Sequence, residues 1–123
     1  MSLIVDFINE CGVFFVLTTN NDSPCGRPFA EIMQYQGDLY ISTGSNKSVY
    51  KQMKANNKVQ LLAHRSNTRD WLRVNTIAEE CFNRTVKEKM LVDFPQLKKH
   101  FSSADDVSFT VFKLTILDYK FYD

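Results

Sequence analysis

Cysteine is scarce in this sequence, and what there is has no pattern. The 123 residues hold three, Cys11, Cys25 and Cys81, with no C-x-x-C spacing. An odd, scattered set excludes a secreted disulfide scaffold and a structural zinc site. An excess of one charge is also missing: 15 Lys and Arg face 14 Asp and Glu, leaving +1. The basic footprint that nucleic acid or an anionic membrane surface would require is therefore absent. No hydrophobic run is long; VFFVL at 13–17 is far too short to span a bilayer. The start, MSLIVDFINE, carries Asp6 and Glu10 and no basic residue, which does not fit a signal peptide. A cytoplasmic protein with no nucleic-acid or membrane partner is expected.

Catalytic patterns are missing too. The two histidines, His64 and His100, are far apart in sequence with no metal-ligand spacing, so no metal is expected. The serines and cysteines have no recognisable base nearby. Glu79 and Glu80 are adjacent on a strand pattern and so point to opposite faces, which excludes a carboxylate dyad. Asp105 and Asp106 read as a turn or cap. There is no repeat, linker or low-complexity tract, and one domain over residues 1–123 is expected.

What is present is an ordinary soluble balance, 44% hydrophobic and 24% charged, with ten Phe and five Tyr to fill a core or an interface. Residues 2–11 repeat Leu3, Ile4, Phe7, Ile8 and Cys11 at helical spacing, with Ser2 as cap and Gly12 as stop. VFFVLTT at 13–19 predicts a buried strand. NNDSPCG reads as a turn, 27–36 as a second strand, Gly37-Asp38 as a tight turn and LYIST as a third strand paired back in a hairpin. A helix at SVYKQMKANN follows, then strands over 58–65 and 70–82, a helix over 84–94 broken by Pro95, a loop at SSADD, and two strands, VSFTVFKLT and ILDYKFYD. Seven strands with short connections predict a mainly β, closed or nearly closed antiparallel barrel with three helices packed at its ends.

Three places could carry chemistry. The first is TGSNKSVY at 43–50, where a strand ends and a helix begins. Unpaired N–H groups, partial positive charge and Lys47 together suit a phosphate. The alternative is a plain N-cap at Ser45 or Asn46 with Lys47 in solvent. The second is Arg27, which the expected hairpin would carry toward the loop after Thr43. Arg suits bidentate phosphate contact; the alternative is a surface pair with Asp22 or another carboxylate. The third is 71-WLR-73, where alternation puts Trp71 and Arg73 on one face, opposite Leu72 and Val74. That face is either a ring-binding surface or a stacked pair at a subunit contact.

Taken in order, 27-RPFAEIMQYQGDLYIST-43, 47-KSVYKQMKANNKVQLLA-63, 71-WLRVNTIAEE-80 and the tail from 102 to 123 resemble the pyridoxamine 5'-phosphate oxidase-like family of FMN-binding split barrels, in its short bacterial, general-stress and Nim-like members. The resemblance implies an antiparallel split β-barrel and a homodimer with FMN at the subunit interface. It implies that Arg27, Ser42, Thr43, Lys47 and Ser48 hold the flavin phosphate and that the backbone of Pro28, Phe29 and Ala30 lines the isoalloxazine. Trp71 and Arg73 would approach the flavin from the partner subunit. It also implies an oxidoreductase that passes hydride or electrons to a small-molecule acceptor, with a nicotinamide as possible electron donor. The alternative is a non-catalytic FMN-binding or electron-carrier stress protein. LYISTG lacks the histidine that nitroimidazole-reductase-like members often carry near this point.

Overall fold

The computed structural model describes residues 2–123, with Ser2 described by its backbone alone. The cap expected of the Ser2 side chain lies outside the described residues. The elements are α1 (Ser2–Cys11), β1 (Phe14–Asn20), β2 (Ser23–Phe29), β3 (Met33–Tyr35), β4 (Asp38–Gly44), α2 (Ser48–Ala55), β5 (Lys58–His64), β6 (Trp71–Cys81), α3 (Arg84–Asp93), a 3₁₀ turn (Pro95–Lys99) and β7 (Phe109–Tyr122). All strand pairs are antiparallel and form one sheet in the order β2-β1-β5-β6-β7-β4-β3.

That order explains the barrel. Its two end strands, β2 and β3, are consecutive in the chain and separated only by residues 30–32. Six antiparallel pairings curl the sheet until its two ends meet in one run of backbone, and residues 30–32, outside both ladders, mark the split. The expected second strand over 27–36 is therefore two strands on opposite ends of the sheet. Arg27 pairs with Val16 of β1, not with the LYIST strand. Pro24 and Pro28 are accommodated because β2 is an end strand, where a missing N–H does little damage.

The turns differ from expectation for identifiable reasons. NNDSPCG is turn-rich, yet only Asn21-Asp22 turns: Asn20 already pairs with Ser23, and Asn21 takes φ +59. The β3–β4 hairpin closes on Gln36-Gly37, at φ +51 and +82, one residue before the predicted Gly37-Asp38; Asp38 is already paired with Tyr35. Positive φ at both central residues is the twist that two-residue hairpins favour. The two strands expected in the tail are one. β7 runs unbroken past Thr115-Ile116, because nothing there can turn the chain. It bends instead at a bulge opposite Asn75/Thr76, where Leu117 is the extra residue.

The barrel interior holds one cluster, with Ile4 and Ile8 of α1, Val49 and Met53 of α2, Ile41 of β4 and Phe112 of β7. A second cluster lies outside the wall, where α3 and the 3₁₀ turn cover Tyr40, Phe109 and Val111 with Met90, Leu91 and Leu97. The start of β7 is thus buried on both faces, which is why 109–112 is a continuous buried run and not an alternation. In β6 the alternation is clean: Leu72 and Val74 are buried, while Trp71 and Arg73 face outward as expected.

The loop before β7 is held by Asp106. Its carboxylate accepts from the backbone of Ser102 and Ser108 at 3.0 Å each and from the Ser108 hydroxyl at 2.7 Å. The Ser108 hydroxyl and these amides hold its carboxyl at about 2, down from 3.8. A lowered folded pKa stabilises the fold above the unfolded value and is lost as pH falls from about 4 toward 2. Asp106→Ala is expected to melt at a lower temperature than the parent at pH 6. The difference should narrow as the melts are repeated down to pH 2; one that stays constant with pH would contradict this role.

Candidate functional site

The candidate site gathers around α2. Val49 and Met53, one turn apart, are buried and fix the helix across one end of the barrel. Tyr50 and Lys54 face β6. The Tyr50 hydroxyl donates to Glu80 Oε1 at 2.8 Å, and Lys54 Nζ lies 2.9 Å from the same oxygen. The Glu80 bond raises both pKa values, Tyr50's helped by burial, and keeps the phenol protonated and the amine charged. Glu79 stays exposed on the other face, so the two glutamates form no dyad.

The start of α2 departs from a plain helix cap. Neither Ser45 nor Asn46 occupies the N-cap position. Lys47 does, in extended conformation, and no side chain accepts a hydrogen bond there. A lysine side chain can only donate, so the first-turn N–H groups have no side-chain acceptor among the described residues. The contrast with α3 is direct, since Asn83 there accepts from the Val86 N–H at 3.2 Å. Thr43, Gly44, Asn46 and Lys47 line a hollow of about 420 Å³ with His100, Phe101 and Ser108.

Arg27 reaches α2 by another route than expected. It lies on the inner face of β2, opposite the buried Val16, and does not line the hollow beside Lys47. Its Nη1 donates to the Val16 carbonyl at 3.1 Å and to Thr18 Oγ1 at 2.7 Å, and its Nη2 to Gln52 Oε1 at 2.7 Å. The Thr18 hydroxyl donates to the same Gln52 oxygen at 2.6 Å. Neither Asp22 nor any other carboxylate pairs with Arg27 among the described residues. The guanidinium meets the helix one turn, about 6 Å, beyond Ser48.

The other expected residues separate into groups. Ser42 and Thr43 are neighbours on β4 and point to opposite faces, so they do not present both hydroxyls to one ligand. Thr43 accepts at its carbonyl from the Thr110 hydroxyl at 2.6 Å. Ser48 is exposed at the start of α2. Phe29 packs inward against Phe14, with ring centroids 6.0 Å apart, while Pro28 and Ala30 are exposed. Ala30 lies where the backbone has left the ladder.

Trp71 and Arg73 form a compact outward group with a member that sequence reasoning missed. Tyr122 stacks on Trp71 at 3.9 Å and 8° between planes, and its hydroxyl accepts from Arg73 Nη1 at 3.1 Å. Arg73 lies 5.1 Å from the Trp71 ring centre. This group is three strands from β2, about 14 Å at the usual strand spacing, and on the opposite face of the sheet from Arg27. Within one chain the two groups do not meet. Thr18 and Gln52 also went unnoticed in the sequence; the spacing of Gln52 four residues after Ser48 was the available signal. The three cysteines are free.

Taken together, a seven-stranded antiparallel sheet closed by one run of chain, with helices at its ends, is a split barrel. Matches to known proteins agree. The family model for pyridoxamine 5'-phosphate oxidase matches residues 2–123. A NimC/NimA family protein from Clostridium acetobutylicum is similar at 36% identity and a TM-score of 0.88, covering 94% of this chain and 81% of that one. General Stress Protein 26 from Bacillus anthracis str. Sterne superposes at a TM-score of 0.80 and 21% identity, covering 100% and 95%. A pyridoxamine 5'-phosphate oxidase-related, FMN binding protein from Nostoc punctiforme PCC 73102 does so at 0.74 and 11%, covering 98% and 82%. The last two are likenesses of fold. No curated protein matches. The chain belongs to the pyridoxamine 5'-phosphate oxidase family.

Proposed function

We propose that this protein binds FMN between two copies of the chain and uses it as an oxidoreductase acting on a small molecule. The observation that carries this reading is Arg27. It is a half-buried cation held by a carbonyl, a hydroxyl and an amide, beside a helix start, and among the described residues it has no carboxylate partner and the helix has no side-chain cap. A phosphate suits that donor set: the guanidinium supplies charge-assisted bonds, the helix start supplies amides, and Lys47 and Ser48 stand at its edge. The fit continues along the ligand. Residues 30–32 have backbone outside both ladders, able to meet the polar edge of a flat ring.

The dimer follows from separation. Arg27 and the Trp71–Arg73–Tyr122 group face opposite sides of the sheet, so one flavin reaches both kinds of residue only if a second copy supplies one of them. The outer face offers apolar surface to bury: Phe15, in register with Leu62 and Arg73, is 45% exposed.

Bound FMN supplies hydride and electron transfer through its ring. The chain's own part is to fix the phosphate with Arg27 and the start of α2, to orient the ring along residues 28–30, and to exclude water at the subunit contact. The test is direct. Purified protein, or protein supplied with FMN, is expected to show flavin absorption and to run as a dimer by light scattering. A colourless preparation that takes up no FMN, or a flavin-loaded monomer, would contradict the reading. Turnover with NADH or NADPH and an acceptor panel separates an oxidoreductase from a flavin carrier.

A further inference from the structure

Among the described residues Arg27 is held by neutral groups alone, and one of them could have been charged without changing shape. Gln52 Oε1 accepts from both Arg27 Nη2 at 2.7 Å and the Thr18 hydroxyl at 2.6 Å, while Thr18 Oγ1 accepts from Arg27 Nη1 at 2.7 Å. The three side chains close a triangle. Thr18 is 4% exposed, which anchors the triangle to the barrel wall. Two bonds converging on one oxygen fix which end of the amide faces the guanidinium. A glutamate at this position would have the same reach and would form a charged pair with Arg27, cancelling the positive charge where the helix start also offers donors.

We infer that Gln52 is a positioning residue that orients Arg27 while leaving its charge uncancelled, and so sets the preference of the site for a phosphate monoester over the same molecule without phosphate. This rests on the reading that Arg27 meets the flavin phosphate. The ligand pair that exposes it is FMN against riboflavin, which differ by that phosphate. Arg27 acts on the anion, and Gln52 acts through Arg27. Replacing the amide by a carboxylate removes the selectivity and keeps the fold, because an Arg–Glu pair takes the place of a neutral hydrogen bond. Replacing it by methionine removes the acceptor and adds no charge.

The experiment titrates wild type, Arg27→Ala, Gln52→Glu and Gln52→Met with FMN and with riboflavin, following quenching of flavin fluorescence, and records thermal melts of each flavin-free protein. Gln52→Glu is expected to weaken FMN binding roughly tenfold, to leave riboflavin binding unchanged, and to melt no lower than wild type. Gln52→Met is expected to weaken FMN binding by about threefold or less. Wild-type FMN affinity in Gln52→Glu overturns the inference, as does an equal loss for riboflavin. Wild-type FMN affinity in Gln52→Glu beside a clear loss in Gln52→Met would show that the hydrogen bond and not the neutrality matters, and overturns it in the same way. Wild-type FMN affinity in Arg27→Ala overturns the phosphate reading itself, which separates the two failures.

Discussion

Arg27→Ala should weaken FMN binding roughly ten- to hundredfold, the range that loss of hydrogen bonds to a charged group gives. The half-buried position of Arg27 makes the effect large. Its donors are partly withdrawn from water, so the anion meets a cation that solvent screens poorly. Lys47→Ala is the useful comparison. Lys47 is exposed at the start of α2, its charge is well hydrated, and its loss should change affinity by less than about fivefold, with the difference vanishing at high salt. Titration of the flavin-free proteins with FMN at two salt concentrations measures both. Unchanged affinity in both variants would remove the phosphate from this end of the barrel.

Phe112→Ala should cost about 3–5 kcal/mol of folding stability, typical of emptying a buried aromatic site. Phe112 is 1% exposed on the inner face of β7 and pairs across to Ile41 on one side and Glu80 on the other. Its ring meets Tyr50 edge-on at 5.7 Å, so it also supports the helix that carries Gln52. Domains of this size commonly have about 5–15 kcal/mol in total, so the variant would sit near the limit of folding. Urea unfolding by circular dichroism gives the number. A loss below about 1 kcal/mol would mean that neighbouring side chains close the gap.

The sequence made the strands legible where one face is buried and the other open. β6 is the clearest case: WLRVNTIA alternates, and the structure alternates with it. It was least legible where the sheet turns on itself. Nothing in RPFAEIMQY states that its two halves pair with opposite ends of the sheet, because closure depends on pairings with β1 and β4 that lie outside the segment. The tail misled in the other direction. VSFTVFKLTILDYKFYD is too long for an ordinary strand, and a bulge does what a turn was expected to do. For the candidate site, Arg27, Trp71 and the start of α2 stood out by residue type, but their partners did not. Thr18 and Gln52 matter only because β1 and α2 meet Arg27 in space, and Tyr122 only because β7 pairs with β6 as far as Trp71. The family resemblance puts Ser42 and Thr43 together at the phosphate, and the pleat of β4 turns their side chains to opposite faces.

The position of β7 in the sheet bears on how the protein is made. β7 stands between β6 and β4, joining Leu39 to Leu114 across most of the chain. During synthesis the hairpin of β1 and β2 and the ladder of β5 and β6 can form early, since their partners are close in sequence or already present. The strands β3 and β4 have no strand pairing to them until residues 109–114 emerge. Closure over so long a separation is slow, because the chain must be ordered before the contact rewards it. Until then α2 lacks Phe112 beneath Tyr50, and the helix that meets Arg27 has an incomplete support. Any ligand that needs both α2 and Arg27 in place must therefore arrive after translation has passed β7.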